Sequence, residues 1–361
     1  MAYNQLQHLK DNISAIRIAL SDREGRVIAP EEALVLGRYS GFGGIKAVLY
    51  PPGEKQEWID LNATNNDLQL YAQIMELHDL LKEHYTEKEY KEAVQSIKNS
   101  VLTAFYTPGI IPQTLYDALK QQDIHPQHLY EPSSGAGVFI TEAVKFFPEI
   151  KQIMAVEKDE LTGKVLAALA RHLSVPCKVQ VTGLEETSNQ ENGQCDLIIS
   201  NIPFGNFLVY DQGYPDKAIS GKIHNYFFAK GLDKLADGGI LAYITTDAFL
   251  NNPSNHKARE YVLNRADLLS VTVMPDNLMK DTGNTEAPSH LILLQKHSGK
   301  AFLSAEEKLL LETVERYNDF GTYSYNKYLS RHPELIIGNE IKPGKNQYGG
   351  AHETVWLRGV K

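Results

Sequence analysis

Four adjacent residues in the middle of the chain have the types and order needed to act on an amine attached to an aromatic ring. In "CDLIISNIPFGNF", Cys195 to Phe207, the apolar run Leu197-Ile198-Ile199 reads as a buried strand, and it ends in Asn201-Ile202-Pro203-Phe204. An exocyclic amine on a heteroaromatic ring is a poor nucleophile, because its lone pair is delocalised into the ring. Two acceptors that bind both N–H groups draw the nitrogen toward tetrahedral geometry and localise that pair. The side-chain oxygen of Asn201 and the carbonyl of Ile202 are the candidate acceptors, and Pro203 fixes the turn. Phe204, exposed at the strand tip, would stack on the face of the base. Taken alone, the motif also reads as a strand-terminating turn with Phe204 folded into the core.

Three more strand ends carry matching chemistry. "EPSSGAGVF" brings Glu131, Pro132 and Ser133 into a turn in which Gly135 and Gly137 let the backbone approach a ligand closely. No Gly-Lys-Ser/Thr follows, and Ile140 stands where a dinucleotide fingerprint has its third glycine, so neither of those phosphate-binding motifs is complete. A purely structural tight turn remains open. Glu157 ends the next strand, 20 residues after Gly137, a distance that suits a carboxylate accepting from two ribose hydroxyls, with Lys158 beside it. Glu185, in "TGLEE", ends the third strand, where it would meet an adenine amine or face water.

The elements that must position these residues follow from periodicity. Strand-like apolar runs near 127–131, 151–156, 177–182, 195–200, 239–245, 268–274 and 289–295 alternate with helical stretches. The alternation predicts a Rossmann-like α/β fold with a mostly parallel seven-stranded sheet. The last two runs have no helix between them, so one of them is expected to run antiparallel. Residues 1–100 read as a separable N-terminal helical region, with Leu70, Ile74, Leu77 and Leu81 at helical spacing. The core is expected over 101–300. Residues 301–361 are expected to begin with a helix, "SAEEKLLLETVERY", and to turn into a loosely ordered polar tail, or to be the stump of a longer protein.

Composition narrows the class. The net charge is −9, and residues 1–200 hold all of it, with 18 basic against 27 acidic residues; residues 201–361 balance at 18 against 18. A nucleic-acid face therefore belongs in the second half. There "GNFLVYDQGYPDKAISGKIHN" mixes Tyr210, Tyr214, Lys217, Lys222 and His224 beside the motif, suited to a strand or an extruded base, or equally to a solvated hinge loop. Cys177 and Cys195 lack metal-ligand spacing, and no metal is expected. No signal-peptide pattern and no apolar run of roughly 18 residues occurs, so a cytoplasmic protein is expected.

In combination, "LGRYSGFGGI", "FYTPGIIPQTLYDAL", "YEPSSGAGVFI", "SNIPFGNF" and "HNYFFAKGLDKLADGGILAYITT" resemble the S-adenosylmethionine-dependent N6-adenine DNA methyltransferases of γ-type motif order. Within these, they are similar to the methylase modules found beside helicases on phage and conjugative elements. The likeness covers about 38–297. The family's catalytic pattern is Asn/Asp/Ser-Pro-Pro-Tyr/Phe, and here Ile202 replaces the first proline. The resemblance implies direct in-line methyl transfer to adenine N6 of a flipped-out base, in a restriction-modification or mobile-element setting. It also implies that Phe105, Tyr106 and Thr107 pack on the methionine end of the cofactor. The implied partners are DNA and a helicase or other domains of a longer protein. Methylation of RNA or of a protein glutamine amide, and a non-catalytic nucleic-acid-binding remnant, are the competing readings.

Overall fold

A computed structural model describes residues 4–21, 26–101, 106–280, 286–346 and 349–359. Seven strands form the central sheet: β1 (His128–Glu131), β2 (Gln152–Glu157), β3 (Cys177–Val181), β4 (Cys195–Asn201), β5 (Leu235–Thr246), β6 (Ala266–Met274) and β7 (Ser289–Lys296), in the order β3-β2-β1-β4-β5-β7-β6. The pairs β1–β2, β1–β4, β2–β3 and β4–β5 are parallel, while β7 runs antiparallel to both β5 and β6. The expected antiparallel member of the last two strands is therefore β7. Central strand β4 is covered on both faces, and its Leu197-Ile198-Ile199 run is fully buried. Edge strand β3 has no fully buried residue, and its Lys178 and Val181 are exposed. The strand order reverses between β1 and β4, and a crevice at the carboxyl ends of a parallel sheet opens at such a point.

The N-terminal helices are α1 (Gln5–Ser21), α2 (Pro30–Leu36), α3 (Lys55–Asp60), α4 (Asn65–His84) and α5 (Glu87–Ser100). Leu70, Ile74, Leu77 and Leu81 of α4 are all buried, as their spacing predicts. Thr64 and Thr86 start α4 and α5 with reciprocal capping boxes to Asp67 and Glu89. After α6 (Ile110–Gln121), the sheet is crossed by α7 (Val138–Phe146), α8 (Glu160–Ala170), α9 (Lys217–Ser220), α10 (Ile223–Lys234), α11 (Ala248–Asn251) and α12 (His256–Leu263). Leu9, Ile13 and Ile16 of α1 share one apolar cluster with Leu161, Val165 and Leu169 of α8, so the helices are packed onto the sheet's own covering layer.

The tail also departs from expectation. The helix starting at Ser304 stops at Leu311, because Thr313-Val314 begins a strand with alternating exposure. β8 (Thr313–Asn318) pairs with β9 (Gly321–Asn326), and β10 (Glu340–Lys345) pairs with β11 (Ala351–Trp356). The stretch expected to be loose thus supplies a hairpin strand. The tail is docked on the core by the bond from Val355 N–H to Asp276 Oδ2 at 3.3 Å and by fully buried Asn326, whose N–H donates to Asn251 Oδ1 at 3.0 Å.

Candidate active site at the carboxyl ends of the strands

The turn after β1 is shaped by two residues in the left-handed region, Gly135 at φ +52° and Gly137 at φ +82°. Pro132 is buried and Ser133 half-buried; Ser134 N–H donates to Val156 O at 2.8 Å, tying the turn to β2. Ser200 Oγ donates to Ser133 O at 3.2 Å, tying it also to the end of β4. Bending the turn this way brings Gly135 N–H within 2.7 Å of Glu157 Oε2, while Asp159 N–H donates to Glu157 Oε1 at 2.8 Å. Each carboxylate oxygen holds one backbone amide and keeps a lone pair for a further donor. Burial nevertheless outweighs these bonds and pushes the Glu157 carboxyl up to about 7.

Glu131, at the end of β1, is 1% exposed, and its Oε2 has no hydrogen-bond partner. Burial and the neighbouring Glu157 hold its carboxyl well above the usual range. Two adjacent carboxyls that resist ionising together, one with an unmet acceptor, form a site that favours a ligand bearing positive charge and hydroxyl donors. S-adenosylmethionine, with its ammonium, sulfonium and ribose hydroxyls, fits that demand. At the next strand end, the exposed Lys158 donates from Nζ to Glu185 Oε1 at 2.8 Å, closing the gap between β2 and β3. Tyr106 lies against Gly135 and Thr107 is buried nearby in sequence; Phe105 lies outside the described residues.

Asn201 closes β4 opposite Ile244 of β5, and its Oδ1 is buried without a hydrogen-bond partner. Ile202 is 1% exposed, in the cluster that contains Tyr130, Ile198 and Val209, and its N–H donates to Ile244 O at 3.0 Å. This accounts for an isoleucine at that position. It fills the core and prolongs the sheet ladder by one bond that a proline, lacking an N–H, cannot make. Pro203 is half-buried. Phe204 is not the free ring expected from sequence: it is half-buried and packs against the cluster of Phe139, Ile140 and Ile244.

The loop beyond the motif separates into fixed and free residues. Tyr210 is 77% exposed and Lys217 is exposed. Tyr214, expected to face a nucleic acid, is buried, donates its hydroxyl to Asp233 and stands edge-on to Tyr226 at 5.2 Å. Lys222 is occupied, its Nζ donating to Ser254 Oγ at 2.7 Å and Asn255 Oδ1 at 2.8 Å. His224 is fully buried in the first turn of α10, and burial pushes its imidazole down to about 4. These three anchor α10 beneath the loop and do not present themselves to a strand. Asp211 fixes the loop's far end, accepting from Tyr226 Oη at 2.6 Å and Lys230 Nζ at 3.1 Å. Between the fixed points, Phe207 and Leu208 stand about half exposed. Sequence reading passed over them, although two large apolar residues with no helical or strand partner, directly after the motif, were the available signal. Among the described residues no group of three or more His, Cys, Asp or Glu is placed to hold a metal ion, and no helix is long and apolar enough to cross a membrane.

Comparison with known proteins places this geometry in context. The family model described as "Eco57I restriction-modification methylase" matches residues 90–277, just over half of the chain. The chain is 24% identical over 200 residues to Defense against restriction protein B of Escherichia phage P1, covering 54% of this chain and 8% of that protein. It is 25% identical over 226 residues to Modification methylase CviBIII of Paramecium bursaria Chlorella virus NC1A, covering 60% of this chain and 57% of that one. The chain thus spans only a small part of the first relative and a little over half of the second. Among solved structures, the methyltransferase subunit of a type I restriction-modification system from Streptococcus thermophilus aligns with a TM-score of 0.47 at 15% identity, over 92% of this chain and 75% of that chain.

Proposed function

The chain belongs to the Eco57I restriction-modification methylase family, and from that premise we propose that it transfers a methyl group from S-adenosylmethionine to the N6 amine of an adenine in DNA. One observation carries this reading: Asn201 Oδ1 is a buried acceptor with no partner, at the strand end that Ser200 ties to the glycine turn. Leaving an acceptor unmet in the core is costly, and an amine N–H of the target base relieves it. The Ile202 carbonyl is the second acceptor, set by the ladder bond of its own N–H to Ile244.

When bound, S-adenosylmethionine supplies an electrophilic methyl group on a sulfonium. Glu131 Oε2 would accept from its ammonium and Glu157 from its ribose hydroxyls, and Glu185 would hold its adenine. The exposed part of the Phe204 ring stacks on the target base, while the rest stays packed on the core. The acceptors at Asn201 and Ile202 localise the amine lone pair, and no strong base is required before attack, because the surplus proton leaves to water afterwards. A duplex target is flipped out, at a cost of a few kcal/mol in unstacking. Tyr210 and Lys217 contact the strand. The match to a small part of the phage P1 protein supports a module that works with further segments, such as a helicase, in a longer protein.

Methyl-labelled S-adenosylmethionine offered with DNA, RNA and a protein extract tests the reading. The expected label is in N6-methyladenine from digested DNA, and it is absent with Asn201→Ala. Label confined to RNA or protein overturns the DNA assignment. Cofactor binding lost with DNA binding retained favours a remnant without catalysis.

A further inference from the structure

The loop Tyr39–Gly44, between α2 and α3, takes no part in the chemistry above, yet it is pinned from several sides. Fully buried Asn12 donates from Nδ2 to Gly41 O at 2.5 Å and accepts from Ser40 N–H at 2.9 Å. Gly44 N–H donates to Val101 O at 3.1 Å, and Gln5 Nε2 donates to Gly44 O at 2.8 Å. Tyr39 Oη lies 3.1 Å from Thr162 Oγ1 in the first turn of α8. Thr162 N–H donates to Asp159 Oδ1 at 2.7 Å, and Asp159 N–H in turn donates to Glu157.

What this rigid loop faces is the ring of Tyr106. Gly41 is at φ +64°, and a Cβ there would sit 2.4 Å from Tyr106 Cε2. On the opposite edge, a Cβ at Gly135 would sit 3.1 Å from Cε1. The ring is therefore held edge to edge between two left-handed glycines, one from the N-terminal helical region and one from the turn after β1. Tyr39 closes a third side, edge-on at 6.0 Å and 90°. If the ring moves, it moves against the backbone whose N–H holds Glu157.

We infer that the Tyr39–Gly44 loop is a wall of the cofactor pocket, with Gly41 acting as a positioning residue that sets Tyr106 and, through it, the Gly135 turn. The inference rests on the cofactor reading above. It also gives the helical region a task in binding rather than in folding alone. A side chain at Gly41 pushes the ring toward Gly135 on its opposite edge; removing the ring removes that push, although the backbone strain at φ +64° stays.

Calorimetry with S-adenosylmethionine on the full chain, alongside thermal melts, tests it. Gly41→Ala is expected to weaken binding tenfold or more while still melting cooperatively. Tyr106→Ala also weakens binding, and the double variant is expected to bind no worse than twofold below Tyr106→Ala alone. Binding by folded Gly41→Ala within twofold of wild type, or a double variant whose loss is the product of the two single losses, overturns the inference. Hydrogen exchange on the wild-type protein gives a second arm that does not depend on any variant folding. Cofactor is expected to slow exchange of the Ser40 and Gly44 amides together with those of 135–137; protection confined to 135–137 overturns the inference. Wild-type protein that binds no S-adenosylmethionine overturns the cofactor reading, whereas wild-type binding with an indifferent Gly41→Ala sinks only this one.

Discussion

The two halves of the crevice are prepared differently. At the ends of β1 to β3, most polar groups already have partners: Glu157 holds two backbone amides and Glu185 holds Lys158. At the end of β4, Asn201 Oδ1 has none, and the loop beyond it exposes Phe207, Leu208 and Tyr210. A cofactor that must bind at every turnover suits a surface built in advance, where little is reorganised on binding. A target amine that arrives only with the right base suits an acceptor left unmet, at about 1–3 kcal/mol. Glu131 breaks the pattern on the prepared side, being buried with an oxygen free, and in the proposed function that is where the cofactor's own charge would be met.

Asn201→Ala tests the contrast most severely. Transfer should fall by about a hundred- to a thousandfold, the range seen when one hydrogen-bonding group aimed at the reacting centre is lost, while cofactor affinity by calorimetry stays within about twofold. A comparable loss of both would erase the distinction between the halves. Glu157→Ala should do the reverse, weakening cofactor binding by about 10- to 100-fold, as befits a charged hydrogen-bonding group, with the remaining loss of turnover recovered at saturating cofactor.

A smaller effect separates the halves by pH. Glu157 has a folded pKa raised from 4.5 to about 7, so between those values the native state holds more of its proton than the unfolded chain does. Its contribution to stability is therefore full below about 4.5 and is lost as pH rises toward 7. The cofactor-free protein should therefore lose a few degrees of melting temperature between pH 5 and pH 8, and Glu157→Ala should flatten that part of the profile. His224, lowered to about 4, works in the opposite sense: stability is lost as pH falls from 6.5 toward 4, and His224→Asn should flatten that acid limb. The smallest expected change is at the open loop. Tyr210→Ala should weaken DNA binding by about 3- to 10-fold in a titration, in line with one lost stacking contact of roughly 1 kcal/mol, and leave cofactor affinity unchanged.

Much of this arrangement was legible in the residues. The seven apolar runs gave the strands because central strands are buried on both faces, and the missing helix after β6 foretold the antiparallel β7. The order of chemistry-bearing residues at successive strand ends pointed to one crevice. Side-chain direction was less accessible. Tyr214, Lys222 and His224 have the right types for a nucleic-acid face, but α10 is buried nearly all round, and helical phase turns His224 into the core. The tail was misread because "ETVERY" satisfies a helical pattern locally, while β-branched Thr313 and Val314 and the partner strand β9 decide otherwise. The join between the helical region and the sheet was invisible, since contacts such as Tyr39 with Thr162 link residues more than a hundred positions apart.

The hydrogen bond from Ile202 to Ile244 makes this position part of the sheet as well as of the turn. In a pattern with two prolines, a ring holds the carbonyl after the catalytic amide. Here a strand of the sheet holds it, and the isoleucine side chain has become part of the protein's interior. Substituting proline at position 202 would delete that bond and leave a void among Tyr130, Ile198 and Val209. Position 202 therefore answers to the sheet and the core as well as to the turn, so a change made there for the turn alone is felt in the interior too.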